Sequence, residues 1–338
     1  MNPLRIGILS TAGIARKNWR AIHETGNAIV TAVASRDKVR AREFVRECQD
    51  DLSFDIFPDA LGSYEELLAS PNVDAIYNPL PTGLRKEWIL RAAAAGKHVI
   101  CEKPCALNLA DLRAMTDACA KNNVQFLDGV MFMHHPRMEK IRAALEDVNA
   151  IGQIKRISSM FTFSTAEKFF ANNIRVHSTL EPTGCLGDLG WYCIRITLWA
   201  MRWQMPTSVT AKIISARGNV NSPGAAPTEF SAELFFDGGA SASFYCSFLV
   251  EKQQWMQVSG SKGYLRLDDF VHPKKAYEPS FELNGSEVKL EKIPYAQDAN
   301  LFRNFAAQVS SGQLNEDWPK WARQTQEVMD ACHAAATR

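Results

Sequence analysis

Apolar and polar positions in the first third of the chain alternate between two periods. Short aliphatic and β-branched runs at 4–9, 29–34, 75–78, 98–101 and 124–127 have the length and composition of buried strands. Between them, 14–24, 38–48, 64–69, 86–95 and 111–122 carry helical spacing. Ser63, followed by Glu65 and Glu66, marks a helix start. Its hydroxyl can cap orphan amides, and carboxylates suit the positive end of the helix dipole. Gly96 marks a helix stop. Strands alternating with helices of this length predict βαβ units on a parallel sheet.

The pattern changes after about residue 130. Stretches 154–163, 208–216, 230–236, 240–249, 255–259 and 264–267 read as strands, several joined by glycine-bearing turns such as Asp237-Gly238-Gly239 and Ser261-Lys262-Gly263. One helix, 189–201, interrupts them, and 321–336 closes the chain. The predicted fold class is α/β. An N-terminal Rossmann-type, doubly wound parallel sheet spans 1–128. An α+β domain with a large open, mainly antiparallel sheet spans 129–338. No internal repeat or low-complexity tract is visible.

Composition narrows the class of function. The chain has 338 residues, 46% of them hydrophobic and 22% charged, enough for two ordinary cores. Its formal net charge is +1 with no basic or acidic block, so nothing electrostatic points to nucleic acid or to a membrane surface. No apolar run is long enough to span a bilayer, and no signal-peptide pattern is present, so a cytoplasmic location is expected. The eight cysteines are scattered. Cys101 and Cys105 lack a second pair at zinc-ligand spacing, so reduced, mostly buried thiols are expected and no metal.

Candidate chemistry lies at the expected carboxyl ends of the first strands. A dinucleotide site needs small residues where the first strand meets the first helix, so that backbone can approach a pyrophosphate at the helix N-terminus. Ser10, Thr11, Ala12, Gly13 and Ile14 occupy that turn, without the strict glycine pattern. At the end of the second strand stand Ser35, Arg36 and Asp37. Ser35 can donate to a ribose 2′-phosphate, and Arg36 can pair with it, which favours NADP. The other reading leaves Arg36 in solvent and gives the ribose to Asp37, which would mean NAD. After a later strand, Glu102-Lys103-Pro104 points Lys103 toward the ligand crevice of an open sheet. A lysine there can steady a developing alkoxide or relay a proton, and Pro104 can be cis. His134 and His135 would point to opposite faces of a strand, so only one can face a ligand.

The conjunction of these motifs resembles the Gfo/Idh/MocA oxidoreductase family over essentially the whole chain. It rests on the first turn, Val33-Ala34-Ser35-Arg36, Pro79-Leu80-Pro81-Thr82, Glu102-Lys103-Pro104 and Gly187-Asp188-Leu189-Gly190-Trp191-Tyr192. The dihydrodiol dehydrogenase and NADP-dependent xylose dehydrogenase branches are the most similar of the characterised ones. The resemblance implies cofactor contacts from Pro79, Leu80, Thr82 and Glu102, and a catalytic Lys103 with Asp188 and Tyr192 on a helix opposite. It also implies a small-molecule substrate held in part by Arg175, which could instead form an ion pair, and a homodimer or higher oligomer, often through the open sheet. Read from the residues, His135 is a candidate substrate contact or, equally, a satisfied structural histidine. Asp188 and Tyr192, at i and i+4, can share one helix face.

The expected function is hydride transfer between NADP(H) and a secondary or anomeric hydroxyl, or a ketone, of a sugar, polyol or related diol. The alternative is a cofactor-binding sensor or scaffold without turnover. Arg85 stands where many members have histidine, and Met133 where the dihydrodiol type has arginine, so the substrate of a relative does not transfer directly.

Overall fold

The computed structural model describes residues 2–338, and the chain divides into two units. The first holds residues up to Ala106, then Ala110–His134 and Tyr295–Ala322. The second holds Leu107–Leu109, His135–Pro294 and Arg323–Arg338. No helix among the described residues is long and apolar enough to cross a membrane.

In the first unit β1 (Leu4–Leu9), α1 (Gly13–Glu24), β2 (Ala28–Ala34), α2 (Lys38–Asp51), β3 (Asp59–Leu61) and α3 (Tyr64–Ala69) form the first half of the wind. The second half comprises β4 (Ala75–Asn78), α4 (Thr82–Ala94), β5 (His98–Cys101), α5 (Leu109–Lys121) and β6 (Phe126–Asp128). The six strands run in the order β3-β2-β1-β4-β5-β6, all parallel. The chain therefore winds outward from β1 one way and from β4 the other. The crevice at that reversal is where open α/β sheets bind ligands. Central strands are buried on both faces, which is why they read as continuous apolar runs. Ser63 does cap α3: its Oγ accepts from the Glu66 amide at 3.1 Å, and a Glu66 carboxylate oxygen accepts from Ser63 Oγ at 3.2 Å.

In the second unit α6 (Arg137–Glu146), β7 (Ile154–Thr162), α7 (Glu167–Asn172) and α8 (Trp191–Ala200) precede a run of strands. These are β8 (Ser208–Arg217), β9 (Ala226–Phe235), β10 (Ser241–Ser247), β11 (Gln253–Gly260), β12 (Tyr264–Leu267), β13 (Ser280–Leu283) and β14 (Ser286–Lys289). The sheet order is β14-β13-β12-β11-β7-β10-β9-β8. Every pairing is antiparallel except β7 with β10. Alternation along the strands buries one face, including Ile157, Phe230, Phe244 and Val258. All ten residues of α8 are buried, and the helix packs on β7 and β10. Arg137 is fully buried and satisfied by Asp269 Oδ1 at 2.9 Å and by the carbonyls of Asp269 and Phe270, both at 2.8 Å. All eight cysteines are buried and free.

Near its end the chain contributes to the first unit again. The helix α9 (Gln297–Ser310) lies against α1, with Lys17 Nζ 2.8 Å from Asp298 Oδ1 and Asn27 Nδ2 donating to the Arg303 carbonyl at 3.0 Å. The last helix is α10 (Asp317–Ala336).

Two local expectations are corrected and one hairpin is added. Residues Met131–His134 form a 3₁₀ turn, so His134 and His135 do not alternate across a strand. The helix expected from 189 begins earlier, as a π-helical turn over Leu186–Gly190 that passes into α8. Asp188 sits inside that turn and Tyr192 just beyond it in α8, so their spacing is not that of a regular α-helix. The β13–β14 hairpin closes on Asn284-Gly285, both at positive φ, a two-residue turn whose sequence is a hairpin signal in its own right.

Candidate functional site

The residues singled out in the sequence fall into two groups, one in each unit. In the first unit they gather at the carboxyl ends of β1, β2, β4 and β5. Gly7, inside β1, is needed for packing: a Cβ there would lie 2.8 Å from the Leu67 side chain. Beyond β1 the chain turns at Ser10, whose amide donates to the Ala34 carbonyl at 2.9 Å. Ser10 sits at φ 112°, a conformation that glycine adopts freely and other residues rarely. α1 then begins at Gly13 with no side-chain cap from Ala12 and no acid in its first turn. An uncapped N-terminus without a carboxylate is suited to an anion such as a pyrophosphate.

At the end of β2 the two readings of Arg36 and Asp37 part. Asp37 is the cap of α2: its Oδ1 accepts from the Val39 amide at 2.8 Å, and its Oδ2 lies 3.8 Å from Arg40 Nε. Ser35 is buried, and its Oγ accepts from the Asp37 amide at 3.3 Å. Arg36 is exposed and makes no ion pair among the described residues. One oxygen of the acid is thus engaged in capping the helix, while the cation is available for a phosphate.

At the ends of β4 and β5 two loops meet. The Leu80 amide donates to Asn78 Oδ1 at 3.1 Å, and Thr82 Oγ1 donates to the Pro104 carbonyl at 3.3 Å. The Lys103–Pro104 peptide is cis. The Glu102 carboxylate is held from inside: Tyr77 Oη donates to Oε1 at 2.6 Å, Asn18 Nδ2 to Oε1 at 3.4 Å and the Lys103 amide to Oε2 at 3.3 Å. Asn18 Nδ2 also donates to Tyr77 Oη at 2.5 Å. Burial, then the negative Glu102, holds the Tyr77 phenol well above its ordinary pKa, so it stays a donor. Gly129 leaves room for this carboxylate, since a Cβ there would come within 3.2 Å of it. Asn18 and Tyr77 were not singled out in the sequence. Tyr77 is a polar tip in a run of buried strand, which was the available signal.

Arg85, expected near the ligand crevice, is 5% exposed. Its guanidinium donates to the carbonyls of Leu80 at 2.6 Å, Glu102 at 2.8 Å and Pro104. Met133 lines a cavity of about 460 Å³ with His134, Asn304, Gln308, Trp318 and Trp321, all residues of the first unit.

In the second unit the π turn presents Asp188, and α8 begins with Trp191 and Tyr192. Arg175, in the short turn Ile174–Val176, donates from Nε to Asp188 Oδ2 at 2.8 Å. The charge of Asp188 raises the Arg175 pKa, and Glu181 and Tyr192 add to the same effect. Tyr192 is buried, and its ring meets Phe161 edge-on at 5.6 Å. Phe161 in turn faces His272 at 6.4 Å. Arg175, Asp188 and Tyr192 are therefore brought together. His135 is engaged in its own turn: it is 2% exposed, and its Nδ1 accepts from the Arg137 amide at 3.0 Å. Burial and the Arg137 charge push its pKa down to about 3.

Residues 4–130 match the model of the "Oxidoreductase family, NAD-binding Rossmann fold", and residues 138–266 that of the GFO/IDH/MocA C-terminal domain. The chain belongs to the Gfo/Idh/MocA family. Within this family it is 30% identical to D-xylose 1-dehydrogenase (NADP(+)) 2 of Haloferax volcanii, over 92% of this chain and 90% of that protein. It is 32% identical to the trans-1,2-dihydrobenzene-1,2-diol dehydrogenase of Sus scrofa, over 79% and 74% respectively. Its fold is similar to that of a 3-ketoreductase from Actinomadura kijaniata solved with NADP and TDP-benzene. That match has 25% identity and a TM-score of 0.84, and covers 99% of this chain and 98% of that one. The family's two-part plan, a parallel dinucleotide sheet and a mainly antiparallel second sheet, is the one seen here.

Proposed function

We propose that the protein moves a hydride between NADP(H) and a secondary or anomeric hydroxyl, or the matching ketone, of a sugar, polyol or related diol. The observation that carries this reading is the convergence at one sheet edge of three features: the uncapped start of α1, the exposed Arg36 and the Glu102–Lys103 turn. Ser10 to Ile14 would hold the pyrophosphate, and Ser35 and Arg36 the 2′-phosphate. Pro79, Leu80, Thr82 and Glu102 would frame the nicotinamide end. The family's xylose and dihydrodiol dehydrogenases support the substrate class.

When bound, the nicotinamide accepts or returns the hydride. The protein contributes orientation and proton handling. In oxidation Lys103 or Tyr192 takes the hydroxyl proton; in reduction the same group returns it to the carbonyl oxygen. Asp188 fixes Arg175, which is assigned to substrate oxygens. His135, being buried, is assigned to the turn it caps. The test is a screen of aldoses, inositols and aromatic diols on protein freed of bound cofactor, with Lys103→Met and Tyr192→Phe beside the native chain. Turnover abolished or sharply reduced in at least one variant is expected; unchanged turnover in both refutes these roles.

We also assign the chain to a cytoplasmic homodimer. Eight free buried thiols fit a reducing compartment. The outer face of the eight-stranded sheet carries half-exposed Met160, Tyr245 and Trp255, a surface suited to a second copy. Sedimentation should give twice the 37.7 kDa chain mass; a monomer refutes the dimer.

A further inference from the structure

We propose that Arg85 is the positioning residue for Lys103, acting by tying two strand-end loops into one rigid cradle. This rests on the proposed function above. The Arg85 side chain rises from the first turn of α4 and is buried. It reaches one carbonyl in the loop after β4, Leu80 at 2.6 Å, and two in the turn after β5, Glu102 at 2.8 Å and Pro104. Glu102 and Pro104 are the two neighbours of Lys103. Lys103 is thus held by its backbone on both sides.

No carboxylate pairs with Arg85 among the described residues. A buried cation without a counter-ion is costly, and here the three carbonyl dipoles compensate it. A guanidinium suits the place best: its planar fork donates in several fixed directions and reaches both loops, whereas an ammonium at the end of a lysine can satisfy only part of this set. Thr82 Oγ1, donating to the same Pro104 carbonyl, adds a fourth link between the loops. On the opposite side, Tyr77 and Asn18 fix the Glu102 side chain, so the turn is held through its backbone by Arg85 and through its carboxylate by Tyr77.

Arg85 therefore serves catalysis without touching substrate.

The experiment compares the native chain with Arg85→Met and Arg85→Lys in two arms. The first is amide hydrogen exchange of the cofactor-free protein. Residues 102–106 should exchange faster in Arg85→Met, with the phosphate turn at 10–14 unchanged. The second is steady-state kinetics on the best substrate from the screen. In Arg85→Met, kcat and kcat/KM should fall together by about 100-fold, as for a displaced catalytic group, with little change in NADPH affinity. Arg85→Lys should recover part of the loss. Native exchange at 102–106 in Arg85→Met overturns the proposal, and so does a kcat within about twofold of native. If Arg85→Met does not fold, Arg85→Lys decides: native kcat and native exchange overturn the proposal, and an intermediate loss supports it. The exchange arm needs no turnover, so it stands apart from any failure of the functional reading.

Discussion

Replacing Arg36 with leucine should weaken NADPH binding and leave NADH binding nearly unchanged. The structure sets the size of the effect. Arg36 is exposed, so its pairing with a 2′-phosphate is screened by water and falls well below the value of a buried charge-assisted bond. A contribution of about 1–2 kcal/mol corresponds to about a 5- to 30-fold rise in Kd for NADPH. Asp37 already spends Oδ1 on capping α2, 2.8 Å from the Val39 amide, and removing Arg36 adds no donor or acceptor for the ribose. NADH affinity should therefore not improve when the arginine is removed. Fluorescence titration of native and Arg36→Leu protein with both cofactors measures this directly. Salt gives a second reading, since the screening length is about 10 Å at 0.1 M. Native preference for NADPH should shrink as salt rises, and the preference of Arg36→Leu should respond less. Equal weakening of both cofactors would refute the reasoning, as would a native preference for NADH.

Two further predictions concern the supports of the site. His135 is held neutral, with its pKa pushed down to about 3, below the unfolded value of 6.5. Between these values the unfolded state binds more protons, so stability is lost as pH falls from about 6.5 toward 3, by at most about 1.4 kcal/mol per pH unit. Urea unfolding across that window should show a flatter pH dependence in His135→Gln; an identical slope contradicts the assignment. Gly129→Ala would press a methyl against the Glu102 carboxylate at 3.2 Å and disturb its bond from Tyr77. It should cost about 1–2 kcal/mol of stability and lower kcat, and native values for both would contradict the packing described.

Much of this was legible in the chain because the first sheet is buried on both faces. Its strands stand out as unbroken apolar runs, and the turns between them hold the small and charged residues that matter. That order places Ser35, Arg36 and Lys103 at strand ends, but only the family resemblance gave Lys103 a catalytic role, since an isolated Glu-Lys-Pro reads equally as a solvated loop. The helix α9 was not marked, and its return to the first unit rests on long-range contacts with α1 that local periodicity does not encode. The π turn at Leu186–Gly190 was equally hidden: its residues suit an ordinary helix, and the wider turn comes from tertiary packing. Arg85 was read as a crevice residue from its place just after the Pro-Thr turn in the family pattern. Its burial depends on three carbonyls from two loops that are distant in sequence from one another. Ser10 shows a different limit, since its residue type gives no sign of the positive φ at which it stands.

The central claim is hydride transfer, and isotope tracing tests it most directly. A substrate from the screen, deuterated at the carbinol carbon, is turned over with NADP, and the cofactor is recovered. The account predicts deuterium at nicotinamide C4 and a slower rate with the deuterated substrate. Tight NADPH binding with no label transferred from any aldose, inositol or diol would contradict it, and would make the protein a cofactor-binding sensor.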